Sequence, residues 1–247
     1  MSGGDRNLNL DLGLGREGEG REEEGGGGVC VVVMGVSGTG KTTLGIALSE
    51  GLGVPYIEGD ELHPKENVVK MSSGVPLTDE DRRPWLEVIR ERAERTCLDL
   101  KKKRLREGNG CSFQDADEEG GYRRCGVVIT CSALKKSYRD ILRGEPPCQD
   151  NQHPEEEQNP PSPSLPPTTI PPPRTSFIWI NGSKEVLQDR IGKRQNHFFK
   201  ASMLDSQLKV LESPEGEEGV VVVPLEADTQ EQVRIAIEGL QNLNTML

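Results

Sequence analysis

Six consecutive apolar residues, Val29-Cys-Val-Val-Val-Met34, run directly into Gly35-Val-Ser-Gly-Thr-Gly-Lys41-Thr42, and no other stretch of the 247-residue chain constrains its fold so strongly. A continuous apolar run of this length suits a strand buried on both faces, as in a parallel sheet covered by helices. The glycines permit a tight turn whose backbone N–H groups converge. Lys41–Glu50 follows, with Leu44, Ala47 and Leu48 on one face, and is predicted to be a helix closed by Gly51 and Gly53. The spacing G-x-x-x-x-G-K-[ST] in this context is a phosphate cradle, in which loop amides and the positive end of the helix dipole face an anion. Lys41 would reach the outer phosphates, and the Thr42 hydroxyl would take a magnesium position. The expected nucleotide contacts are Gly35, Val36, Ser37, Gly38, Thr39, Gly40, Lys41, Thr42 and Thr43.

Strands and helices alternate through the remainder. Val54–Glu58 is predicted as a second strand, and His63-Pro64 opens a short helix to Met71. Thr78-Asp-Glu-Asp81 forms a capping box ahead of a long helix in which Trp85, Ile89, Ala93 and Cys97 recur every four residues. Val127–Cys131 is a third strand, Ala133–Arg143 a helix, and Ser176–Ile180 a fourth strand. Lys184–Gly192 and Met203–Leu211 are helical, Val220–Val223 is a fifth strand and Gln230–Leu243 a closing helix. This order predicts an α/β fold, a five-stranded parallel sheet with right-handed crossovers and helices on both faces.

Composition matters here for one reason. Apolar residues make up only 33% of the chain, and the net charge is −11. Residues 1–28 (Gly/Glu-rich), 108–124 and 145–174 (proline-rich) carry −10 of that charge, so the remaining 172 residues are nearly neutral. The expectation is a folded domain over 29–247, preceded by a disordered tail and interrupted by two low-complexity insertions. Loop-closure cost grows slowly with length, so both insertions should be tolerated. The segment Pro163-Ser-Leu-Pro166 matches a P-x-x-P pattern, but that is nearly automatic in so proline-dense a stretch.

No apolar run approaches a membrane span, and the N-terminus resembles neither a secretory signal nor a transit peptide. The six cysteines contain no C-x-x-C pair and read as reduced thiols, which together with the missing leader predicts a cytoplasmic protein. The acidic total argues against nucleic acid, and the basic run Lys101–Arg104 reads as a solvated helix face.

The chain lacks the Asn-Lys-x-Asp pattern that reads guanine, and its third strand ends Val-Ile-Thr-Cys-Ser132 with no carboxylate of the kind motor ATPases use. Asp60 ends the second strand, on the same sheet edge as the phosphate loop. There it could orient or deprotonate an attacking hydroxyl, or equally serve as a turn acid.

The blocks Gly59-Asp60-Glu-Leu-His63-Pro64, Asn67, Lys70-Met71, Gly74-x-Pro76-Leu77, Asp79-x-Asp81-Arg82 and Pro84-Trp85-Leu86 resemble the signature of the gluconokinases. So do Cys131-Ser-Ala-Leu-Lys135-Lys-x-Tyr138-Arg139-Asp140 and Arg194-x-x-His197-Phe-Phe199, with Met203-Leu204 and Ser206-Gln207 behind them. The resemblance runs from about Val31 to the closing helix. It implies a P-loop NTPase three-layer sandwich like that of the nucleoside-monophosphate kinases, with a mobile lid. It also implies transfer of the ATP γ-phosphoryl to the 6-hydroxyl of D-gluconate with magnesium, giving 6-phosphogluconate for the pentose phosphate route. A homodimer is admitted, the chain itself being silent on oligomeric state.

Within that resemblance, Lys41 and Asp60 are the expected catalytic residues, with Arg190 and Arg194 folding over the phosphates. Those two arginines lie four apart on one helical face and could offset transition-state charge, the alternative being an exposed basic face. Asp60, His63, Arg82, Lys135, Arg139 and His197 are the expected substrate contacts. Taken singly, Lys135 reads better as helix-surface charge, His197-Phe-Phe199 better as lid packing, and Trp85 as core. The Glu58-Gly59-Asp60 sequence disfavours shikimate kinases, which carry Asp-x-Asp there. A kinase of another small hydroxy acid, or an inactive nucleotide-binding scaffold, remains the alternative.

Overall fold

The alternation of apolar strands and amphipathic helices folds as expected. The structure, a computed structural model, describes residues 28–107, 125–145, 172–193 and 201–243. The expected tail therefore lies outside the described residues up to residue 27, as do the 108–124 insertion and residues 146–171 of the second. The elements are β1 (Val29–Met34), α1 (Lys41–Leu52), β2 (Tyr56–Glu58), a 3-10 turn (Gly59–Leu62), α2 (Lys65–Ser72), α3 (Asp79–Arg106), β3 (Gly126–Thr130) and α4 (Lys136–Arg143). After them come β4 (Arg174–Asn181), α5 (Lys184–Lys193), α6 (Ala201–Val210), β5 (Val220–Pro224) and α7 (Thr229–Asn242). The strands pair in the order β2-β3-β1-β4-β5, and every pairing is parallel.

Side-chain alternation along β1 explains its unbroken hydrophobicity. Val29, Val31 and Val33 join a core shared with α1 and α7 through Leu44, Leu48, Ala236 and Leu240. Cys30, Val32 and Met34 face the other way, onto Trp85, Leu86, Ile89 and Ala93 of α3 and Tyr138 and Leu142 of α4. Each face of the sheet is thus covered, giving three layers. Among the described residues no helix is long and apolar enough to cross a membrane.

Several boundaries depart from the pattern-based reading. The helix expected to begin at Ala133 starts at Lys136, because Ala133 adopts φ 44° and holds 131–135 as a non-helical loop. β4 begins at Arg174, inside the expected insertion, since its amide donates to the Gly28 carbonyl and extends the sheet. Cys30, Cys97 and Cys131 are buried free thiols, as expected. Cys125, at the half-buried head of β3, is disulfide-bonded instead.

The loops after β1, β2 and β3 all emerge at the carboxyl edge of the sheet, where ligands bind in open parallel sheets. The segments entering β3 and β4 lie at the opposite, amino edge.

Candidate active site

The phosphate loop rises from β1 into α1. Thr39 Oγ1 donates to the Val36 carbonyl (2.8 Å) and Lys41 Nζ donates to the same oxygen (3.0 Å), so both side chains tie the loop to its own backbone. Gly40 takes φ 89°, a left-handed geometry costly for residues with a side chain, immediately before the helix. A second set of contacts comes from outside the motif, where the Ser37 amide donates to Gln207 Oε1 of α6 at 2.7 Å.

β2 brings a second carboxylate, Glu58, to this edge. Glu58 accepts from the Thr42 hydroxyl (2.9 Å), the Tyr56 hydroxyl (2.7 Å) and the Thr130 hydroxyl. Its position follows from the register, since Glu58 pairs with Thr130 across the β2–β3 ladder and Tyr56 lies on the same face two residues earlier. α1 can approach because residue 45 is glycine. A Cβ there would come within 2.8 Å of the Tyr56 ring and 2.9 Å of Thr130 Cγ2. Burial works against the Glu58 charge, but the three hydroxyls outweigh it and hold the carboxyl below its usual range. The Thr42 proton is thereby committed to Glu58, which leaves the lone pairs of its oxygen for a cation.

Gly59 turns the chain where a Cβ would lie 2.0 Å from the Thr130 carbonyl oxygen, so no larger residue fits. Asp60 follows in the open cleft. Burial by the cleft walls raises its pKa, nearby Lys41 pulls it back, and Glu58 raises it further. Trp85 supports this turn. Its indole N–H donates to the Gly59 carbonyl at 2.8 Å, and its ring stacks on His63 at 3.9 Å between centroids. The reading of Trp85 as core is therefore incomplete, since it also braces both cleft residues. Burial, helped by Arg82, lowers the His63 pKa to about 4, so its imidazole is neutral near pH 7.

The N-termini of α3 and α4 meet through Asp79, Lys135 and Tyr138. Asp79 accepts from Lys135 Nζ (2.6 Å) and from the Tyr138 hydroxyl, and both contacts hold its carboxyl below the usual range. Arg82 and Lys135 flank the Tyr138 ring at 5.9 and 5.6 Å. Lys135 is paired to Asp79, and the Arg82 guanidinium donates to the Leu77 carbonyl. Thr78 caps α3 with the reciprocal Asp81 contact expected from the sequence.

Arg139 requires a correction. It was expected to touch the substrate, but its side chain is fully buried, with Nε and Nη2 on the Glu217 carboxylate and Nη1 on the Ala133 and Leu134 carbonyls. It pins the loop carrying Lys135. Asp140 pairs with Lys136 and Arg143. Removing Glu217 would strand a buried guanidinium. Glu217→Ala is expected to destabilise the fold by about 3–5 kcal/mol, read from urea unfolding, and a loss below about 1 kcal/mol would show the pair to be solvated like a surface one. Arg190 Nη2 donates to the Leu225 carbonyl at 2.7 Å. Arg194 and His197 lie outside the described residues.

No protein-family model matches the chain. It is 39% identical over 191 residues to a probable gluconokinase of Schizosaccharomyces pombe, covering 77% of this chain and 76% of that one. It is 39% identical over 194 residues to the gluconokinase of Gluconobacter oxydans, covering 78% and 80%. A crystal structure of a gluconokinase from Sinorhizobium meliloti matches with a TM-score of 0.59 at 37% identity, over 88% of this chain and 94% of that one.

Proposed function

The chain belongs to the gluconokinase family, and from that footing we propose that it transfers the γ-phosphoryl group of ATP to the 6-hydroxyl of D-gluconate, yielding 6-phospho-D-gluconate and ADP. The observation that carries this reading is the meeting of three groups on one sheet edge. They are the phosphate loop with Lys41, the Asp60 carboxylate beside it, and the Arg82 and Lys135 cations that flank Tyr138, Arg82 also acting on His63.

In this reading the loop amides and Lys41 hold the phosphates. Asp60 takes the proton of the 6-hydroxyl as the new O–P bond forms and the bond from the γ-phosphorus to the bridging oxygen breaks, leaving ADP. Arg82 and Lys135 receive the gluconate carboxylate, and neutral His63 bonds a chain hydroxyl. Thr42 and Glu58 offer hard oxygen donors of the kind magnesium accepts beside substrate phosphates. Magnesium, when bound, supplies neutralisation of charge on the phosphate oxygens.

A coupled ADP-release assay tests the substrate. Turnover is expected with D-gluconate and not with shikimate, glycerate or nucleoside monophosphates. Equal rates on any of these would overturn the assignment.

A further inference from the structure

One helix and the turn that follows it contact both the phosphate loop and the start of α4. At its middle, α6 presents Gln207, whose Oε1 accepts the Ser37 amide of the phosphate loop at 2.7 Å. The Leu211 amide donates to the Gln207 carbonyl (3.0 Å), which carries the helical turn onward to Glu212. Glu212 then grips the opposite side of the site twice. Its amide donates to the Leu134 carbonyl at 2.8 Å, and its Oε2 accepts the Lys136 amide at 2.6 Å. α4 has no cap from its own N-cap side chain, so a carboxylate 76 residues away satisfies one of its first amides. From there the contacts reach the Asp79–Lys135–Tyr138 cluster directly.

The path is packed throughout. Leu204 is buried, Leu208 packs against the core on the α1/α7 face, and Leu211 packs against the cores on both faces of the sheet. α5 adds a neighbouring support, pressing Ile191 against the phosphate loop at Gly38. Neither Gln207 nor Glu212 was singled out from the sequence as a site residue.

We propose that α6 is a strut coupling the two substrates, with Gln207 and Glu212 as positioning residues through which a nucleotide in the phosphate loop orders the 133–136 loop that presents Lys135. This deepens the kinase reading and rests on it for its meaning, whereas its test needs only a nucleotide. A phosphate bound by the loop restrains Ser37, Ser37 restrains Gln207, and the turn after α6 passes the restraint to the α4 N-terminus. Coupling of this kind is commonly worth between about five- and 150-fold in an equilibrium.

The test is hydrogen–deuterium exchange on the full chain with and without the β,γ-imido analogue of ATP and magnesium. In the wild type the analogue is expected to slow exchange of the amides of 134–138 at least about fivefold. Gln207→Ala and Glu212→Ala should each reduce that slowing below about twofold, whereas Glu212→Gln, which keeps an acceptor for the Lys136 amide, should retain it. The two alanine variants break the strut at opposite ends, so a folding failure in one leaves the other to decide. Slowing that persists in a folded alanine variant, or that never arises in the wild type at saturating analogue, overturns the proposal. Failure of gluconate turnover would sink the kinase reading and leave this result standing.

Discussion

Asp60→Asn will lower kcat for gluconate phosphorylation by about a hundredfold to ten-thousandfold, the usual contribution of a positioned base. The substitution keeps the size and one acceptor of the side chain, so binding of gluconate should change far less than turnover. The pH profile supplies a second readout. Asp60 must be deprotonated to accept the hydroxyl proton, so the rate falls as pH drops through its pKa. Burial and Glu58 place that pKa above the ordinary aspartate value, against the opposing pull of Lys41. The acid limb of kcat/KM in the wild type should therefore lie above about pH 3.9 and vanish in the asparagine variant. A variant with full turnover would exclude Asp60 from the chemistry.

The second large effect belongs to Lys41. Its ammonium sits at the mouth of the phosphate loop, held by the Val36 carbonyl at 3.0 Å. Lys41→Met keeps the length and removes the charge, and should cost about a thousandfold in kcat, the scale of losing one preorganised donor to developing negative charge. It should also move the acid limb upward, because the cation that pulls the Asp60 pKa down is gone. Stopped-flow or coupled-assay kinetics across pH would read both. A thousandfold loss with an unmoved acid limb would confine Lys41 to the phosphates, and unchanged kcat would remove it from the mechanism.

Local signals were legible in the sequence wherever neighbouring residues decide the structure. The apolar run of β1, the phosphate loop and the Thr78–Asp81 cap are each complete within a few residues, and the fold follows from their order. What escaped notice depends on partners far along the chain. Glu58 reads as a simple strand end until Thr42, Tyr56 and Thr130 arrive from three segments to surround it. Arg139 reads as a substrate contact, and only Glu217, 78 residues on, shows its side chain turned into a buried ion pair. Ala133 favours helix by composition, yet the loop that Arg139 clamps holds it at positive φ. One signal was available for Glu58: a carboxylate two residues before Asp60 on the edge of the phosphate loop, where the third strand offers none.

Two of the three mid-chain stretches outside the described residues, 108–124 and 146–171, lead into β3 and β4 at the amino edge of the sheet. At about 3.3 Å per residue, the five residues of β3 and the eight of β4 separate those junctions from the reaction edge by about 17 and 26 Å. The barrel of the machine and its breech thus sit at opposite ends of the same strands. Lineages are free to lengthen, trim or decorate the chain at one rim without touching the chemistry at the other, and a fluorescent reporter spliced into either junction should leave phosphoryl transfer intact.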